Sequence, residues 1–286
     1  MIAAMVGRLS AATLVFGIAA VVVPSHAGQE TGMSVHEQQV VALLKSIETG
    51  DPAPASVIDP GKYIQHNLAG ADGLEGFAAL LAQLPPGSAK VNTIRVFQDG
   101  AYVFAHSEYD FFGPKIGFDV FRFENGSIVE HWDNLQDKPA SPNPSGRTMT
   151  DGPSQADDLH ATQANKTLVR RFVEDVLVNG RLDRLASYFE GDNYLQHNPL
   201  IADGLSGLTS ALKALADQGV TLKYDRIHQV LGKGNFVLVM SEGEFAGAHT
   251  AFFDLFRVQN GKIAEHWDTI ETIPLRSGWK NTNGKF

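Results

Sequence analysis

The chain has no cysteine among its 286 residues, which excludes disulfides, thiolate metal sites and a cysteine nucleophile. Positive charge is also scarce: 23 Lys and Arg stand against 32 Asp and Glu, a formal net charge of -9. No basic cluster is dense enough to replace counterions along a phosphate backbone, so the composition argues against nucleic acid as a partner. The sequence lacks a glycine-rich phosphate loop and a G-x-S-x-G elbow, and its histidines stand singly, with no H-x-x-x-H or H-E-x-x-H pair. No metal and no cofactor is therefore expected. A long hydrophobic run occurs at one place, Leu9 to Val23, with Arg8 before it and Pro24-Ser25-His26-Ala27 after it. That is the pattern of an export signal cut after Ala27. The run is shorter than the about 20 residues that span a bilayer. The expectation is a signal peptide over 1–27 and an exported (periplasmic or secreted) protein with no stable membrane insertion.

What the chain does have is repetition. Phe118-Asp-Val-Phe-Arg122, Asn125-Gly126 and Glu130-His-Trp-Asp133 return as Phe253-Asp-Leu-Phe-Arg257, Asn260-Gly261 and Glu265-His-Trp-Asp268. Upstream, Tyr63-Ile-Gln-His-Asn67 with Asp72-Gly-Leu returns as Tyr194-Leu-Gln-His-Asn198 with Asp203-Gly-Leu. The offsets, 131 residues for the histidines and 135 for the aspartates, are too long for a solenoid module of about 20 to 50 residues. They describe two complete domains, over 34–137 and 161–273. A Pro/Ser/Gly/Asp-rich linker over 138–160 joins them, and a polar tail over 274–286 follows.

Each copy reads as helices first and strands afterwards, an α+β unit. Val40, Leu43, Leu44 and Ile47 recur at helical spacing, as do Val169, Phe172, Val173 and Val176. A short second helix is expected over 182–189, with a less regular counterpart over 52–58, where two prolines intervene. Third helices are expected over 74–84 and 205–216. The period then changes to two over 91–97, 102–109, 118–123 and 128–135, and over 222–231, 236–244, 252–258 and 263–270, giving an antiparallel sheet in each copy.

Asp119 and Asp254 each sit inside a strand of Phe, Val and Leu, where a carboxylate is costly to bury without a partner. Alternation puts Asp119, Phe121 and Phe123 on one face and Phe118, Val120 and Arg122 on the other. If the first face meets the helices, Asp119 is a buried general acid or base beside Phe121, and Asp254 is one beside Phe256. Which residue faces it depends on the next turn. A two-residue Asn-Gly loop puts Trp132 and Trp267 opposite the aspartates and leaves His131 and His266 on the outer face. A three-residue loop reverses this. Asn-Gly is the stronger signal for the first arrangement. The histidines expected in the cavity are then His66 and His197. Their neighbours Gln65, Asn67, Gln196 and Asn198 can offer hydrogen bonds to a ligand oxygen; the bland alternative is that the triplet caps a turn.

These strings, in this order, resemble the SnoaL-like (polyketide-cyclase-like) branch of the nuclear-transport-factor-2-like superfamily, over nearly all of the chain after residue 27. The resemblance implies two tandem cone-shaped domains, each with three N-terminal helices packed on a curved antiparallel sheet. It also implies pairing of the two domains through their sheets, an intramolecular pseudo-dimer. By position, Asp119 and Asp254 look like the branch's acid/base aspartate, with His66 and His197 as pocket neighbours. Two functions follow as expectations. One is a cofactor-independent acid/base enzyme (aldol-type, isomerase or dehydratase chemistry) on a small apolar carbonyl compound. The other is a non-catalytic exported protein that binds a small apolar ligand or a protein partner. The enzyme reading expects Asp119 and His66 in one enclosed cavity.

Overall fold

Ser34 opens the first helix. Its hydroxyl accepts the Glu37 N–H at 3.1 Å while the Glu37 carboxylate takes the Ser34 N–H at 2.6 Å, a reciprocal cap that satisfies two otherwise orphaned donors. The helix, α1 (Val35–Thr49), stops at Gly50, whose φ of 71° closes it in the left-handed conformation. The computed structural model describes residues 32–85, 87–111 and 113–286; the export signal expected over 1–27 lies outside them. Among the described residues, no helix is long and apolar enough to cross a membrane.

After α1 the prolines permit only a 3-10 turn, Ala53–Val57. In the second half, α3 (Thr162–Phe172) runs into a π turn over Val173–Val178, and Leu182–Tyr188 is 3-10 rather than the α-helix expected there. The Asp175 carboxylate accepts from Arg181, Arg184 and the Tyr188 hydroxyl, drawing this segment tight against the end of α3. The third helices are α2 (Gly73–Leu81) and α4 (Gly204–Asp217).

The strands are β1 (Ile64–Gln65), β2 (Lys90–Asp99), β3 (Tyr102–Asp110), β4 (Pro114–Glu124) and β5 (Ser127–Asp137), then β6 (Leu195–Gln196), β7 (Leu222–Lys233), β8 (Phe236–Phe245), β9 (Ala248–Gln259) and β10 (Lys262–Thr272). They form two five-stranded sheets of matching order, β1-β5-β4-β3-β2 and β6-β10-β9-β8-β7. Neither sheet is purely antiparallel, as had been expected. The Tyr-x-Gln-His-Asn strings supply β1 and β6, which run parallel to β5 and β10 because the chain returns to the sheet after its 3-10 turn.

Alternation gives each sheet two apolar faces. One meets the helices of its own half: Val40, Leu43, Val103, Tyr109 and Phe121 in the first, Phe172, Tyr194, Tyr224, Phe252 and Phe256 in the second. The other faces meet one another, Phe104, Phe118 and Val120 from the first half packing with Phe236, Phe253 and Trp267 from the second. Polar ties cross the same layer. Asn134 donates to the Thr269 carbonyl at 2.8 Å, and Glu271 accepts the Leu135 N–H at 2.9 Å. Residues 33–286 thus form a single compact unit.

The candidate acid/base cavity

Asn125 and Gly126 have φ of 52° and 83°, and Glu124 pairs with Ser127, so the two-residue loop forms as Asn-Gly dictates. One step further the register slips. Phe123 pairs with Ile128 but Arg122 pairs with Glu130, so Val129 is an extra residue, a β-bulge. Beyond it Asp119 lies opposite Asp133, Phe121 opposite His131 and Val120 opposite Trp132. Directly opposed residues share a face, so His131 joins Asp119 on the helix side and Trp132 turns to the layer between the sheets. The second half does the same around Ala264: Asp254 meets Asp268, Phe256 meets His266 and Leu255 meets Trp267. The expectation that Trp132 and Trp267 line the cavity is corrected by this one added residue per copy.

The expectation for His66 and His197 is corrected too. Gln65 pairs with His131, and alternation then sends His66 to the opposite face. There His66 stacks on Trp132 at 4.7 Å, with its Nε2 3.0 Å from Glu130 and its Nδ1 donating to the Gly284 carbonyl at 2.9 Å. His197 stacks on Trp267 at 4.6 Å and contacts Glu265 and the Thr148 carbonyl, each at 2.8 Å. Both histidines are buried anchors outside the cavity, so His66 and Asp119 do not share one.

The cavity itself lies between α1, α2 and the first sheet and holds about 240 Å³. Leu43, Phe77, Leu80 and Phe121 are among the residues of its apolar wall, and Gln65, Asn67, Tyr109, Asp119, His131 and Asp133 form its polar end. The Gln65 side-chain oxygen Oε1 accepts the Asn67 N–H at 2.9 Å, which fixes the amide's orientation, and sits 2.9 Å from His131 Nδ1. Nδ1 therefore carries a hydrogen. His131 Nε2 lies 3.0 Å from Asp119 Oδ1, and the Tyr109 hydroxyl donates to Asp119 Oδ2. One proton is thus shared along the Nε2–Oδ1 line, either as imidazolium with carboxylate or as imidazole with carboxylic acid. Burial and then the Asp119 charge push the Tyr109 hydroxyl well above its ordinary pKa, so it stays a donor. Asn67 donates its amide to Asp133 Oδ2. Of the residues expected here, Gln65, Asn67, Phe121 and Asp119 are at the cavity; Tyr109, His131 and Asp133 complete it.

The second half keeps the polar set and changes the space. Gln196 accepts from His266 Nδ1 at 3.0 Å, His266 Nε2 lies 3.0 Å from Asp254, and Asn198 donates to Asp268 at 2.7 Å. Asp254's tyrosine is Tyr224, from β7 rather than from the strand matching β3, with its hydroxyl 3.3 Å from both carboxylate oxygens. Where β4 has Gly117, β9 has Phe252, fully buried and stacked on Tyr224 at 4.1 Å. Phe256 is a core residue stacked on His266 at 4.7 Å. Burial alone pulls the His266 pKa down, but the Asp254 hydrogen bond and the charges of Asp268 and Asp254 outweigh it, and the net shift is upward. Burial pushes the Asp268 carboxyl up. Asp254, His266 and Asp268 bring three ligand-type atoms within 4.8 Å of one another. Of these groups His266 and Asp254 already bond each other, and Asp268 Oδ1 has no hydrogen-bond partner among the described residues.

The SnoaL-like domain family matches residues 169–266, within the second half. Similar solved structures include TsrD from Streptomyces laurentii, 19% identical with a TM-score of 0.32 over 37% of this chain and 92% of that one. An LEH-like epoxide hydrolase of M. tuberculosis is 19% identical with a TM-score of 0.31 over 35% of this chain and 81% of that one. An NTF-2-like protein of Burkholderia xenovorans LB400 is 17% identical with a TM-score of 0.32 over 37% and 85%. No curated protein matches the chain.

Proposed function

We propose that the first-half cavity is the working site of a cofactor-independent acid/base enzyme acting on a small apolar carbonyl compound. One observation carries this: Asp119, buried at the end of an apolar cavity, shares a proton with His131 while Gln65 fixes the imidazole and Tyr109 donates to the carboxylate. In the carboxylate form Asp119 takes a proton from the carbon beside the substrate carbonyl, and the electron pair moves onto the carbonyl oxygen as an enolate. Asn67, whose amide gives one hydrogen to Asp133 and keeps a second, is the neutral donor at the same end of the cavity. The proton stays on Asp119, beside the His131 imidazolium, and returns from there to the product. Aldol-type closure, isomerisation and dehydration all start from such an enolate, and the family match in the second half is consistent with this class. The reading includes two tandem SnoaL-like domains, 34–137 and 161–273, paired through their sheets as a pseudo-dimer within one chain. It also includes export, supported by the sequence of residues 1–27 alone.

The test is α-deuterium incorporation into 2-tetralone in D2O, followed by proton NMR. Wild type accelerates exchange, and Asp119→Asn slows it by about 10²- to 10⁴-fold, the usual weight of one acid/base group. Asp254→Asn keeps the wild-type rate. Equal rates in wild type and Asp119→Asn remove Asp119 from the mechanism. The binding reading keeps one observation in its favour: both Asp119 oxygens and both His131 nitrogens already have partners. A ligand held in the cavity with no exchange above buffer selects that reading.

A further inference from the structure

Two segments outside the sheets perform the same task on opposite halves. After β5 the chain reaches the second half: Asn143 donates to the Gln196 and Ile201 carbonyls at 2.6 and 2.9 Å, Arg147 binds Asp203 at 2.8 Å, and the Thr148 carbonyl accepts from His197. After β10 the chain reaches back to the first half. Asn281 donates to the Asn67 and Gly70 carbonyls at 2.8 and 2.9 Å, Asn283 binds Asp72 at 2.6 Å, and the Gly284 carbonyl accepts from His66. The Gln-His-Asn histidines are the docking posts for these two arms. Aligning the arms on the histidine-to-carbonyl bonds puts Arg147 with Asn283 and Thr148 with Gly284. The next residue is Met149 in one arm and Lys285 in the other.

That difference reaches the cavity. Lys285 is buried, with its side chain 4% exposed and its Nζ 2.7 Å from Glu271 and 3.5 Å from Asp133 Oδ1. Asp133 also faces Asn67 on its other oxygen, Asp119 across the strand pair, and His131 and Tyr109 along the cavity end, and its charge helps to raise the pKa of the neutral Tyr63 phenol and of Glu271 nearby. Among the described residues, neither Asp133 Oδ1 nor Asp268 Oδ1 finds a hydrogen-bond donor; the first half differs in having an ammonium 3.5 Å away. Burial pulls the Lys285 pKa down, but Asp133 and Glu271 more than offset this, so Lys285 stays protonated.

We propose that Lys285, delivered by the arm that follows the second sheet, is a positioning residue of the first-half cavity. Its ammonium holds Asp133 against Asn67, which keeps that carboxylate from competing with Asp119 for a neutral carbonyl ligand. This rests on the reading of that cavity as a carbonyl-compound site. It makes the second half part of the first half's site and leaves the second half, with Met149, without an equivalent.

The experiment is a double-mutant cycle on the dissociation constant of the apolar ketone fluorophore prodan, with wild type, Lys285→Met, Asp133→Asn and the double variant. Lys285→Met weakens prodan about fivefold, adds nothing in the Asp133→Asn background, and Lys285→Arg returns affinity to within about twofold of wild type. Lys285→Met within about twofold of wild type, or effects of the two changes that multiply, overturns the role of Lys285. If prodan binds wild type and Asp119→Asn alike, the reading of the cavity fails instead. The same four proteins are then compared by urea midpoint without ligand: additive shifts overturn the Lys285–Asp133 link, and non-additive shifts sustain it.

Discussion

Gly117 and Phe252 occupy matching places two residues before the buried aspartates, and in the second half a phenyl ring stacks on the tyrosine where the first half has only a hydrogen. A Cβ at Gly117 would lie 2.5 Å from Leu135 Cδ2 and 2.9 Å from the Tyr109 ring, so glycine there is what lets Tyr109 reach Asp119. Gly117→Ala is expected to cost about 1 to 3 kcal/mol by overpacking, read as a lower urea midpoint together with weaker prodan binding. Phe252→Ala removes a buried ring and costs about 3 to 5 kcal/mol; where the protein survives, prodan stoichiometry rises from one to two per chain. The tyrosine also shows why repetition misled. Because Tyr109 and Tyr224 come from different strands, no string repeats around them, and a reading built on repeats passes over both. His266 gives a pH signature of its own. Its folded-state pKa is raised above the ordinary value of about 6.5. Its contribution is therefore complete below that value and is lost as pH rises through the folded-state pKa. The stability gap between wild type and His266→Gln, measured by urea unfolding, should be widest near pH 6 and narrow toward alkaline pH.

At the scale of elements, the β-bulges decide the chemistry. Deleting Val129 restores direct pairing, which turns Trp132 inward and His131 outward. The expected result is loss of the cooperative urea transition or, in any folded remainder, loss of prodan binding; a stable variant with wild-type affinity contradicts the bulge's role. Much of the element pattern was legible beforehand. The helical spacing of Val40, Leu43, Leu44 and Ile47 and the Asn-Gly turns marked a helix and the hairpins because each has a local reason to be there. The bulges were not legible, since Ile128-Val129 and Ile263-Ala264 are apolar on either register and carry no glycine or proline to mark an extra residue. The same gap moved the cavity histidine from His66 to His131. The short strands Ile64–Gln65 and Leu195–Gln196 were missed for a different reason, two residues being too few to show a period.

At the scale of the whole molecule, each half is completed by the other. The inter-sheet layer of Phe104, Phe118, Phe236, Phe253 and Trp267 is buried, so residues 33–137 made alone would present a contiguous apolar face and are expected to self-associate, a result sedimentation velocity would show. The linker between the halves is packed: Arg95 donates to the carbonyls of Thr150, Asp151 and Pro153 and lies 4.3 Å over the Trp267 ring. The reactive end of the first-half cavity pairs Asp119 with His131, while His66 holds an arm on the other face. The most direct measurement is the 2-tetralone exchange rate of His131→Gln and His66→Gln side by side, each corrected for its folded fraction. His131→Gln is expected to lose at least about tenfold, and His66→Gln, which reaches the cavity only through the Lys285 arm, to lose less than His131→Gln; loss in His66→Gln with His131→Gln unaffected would contradict this.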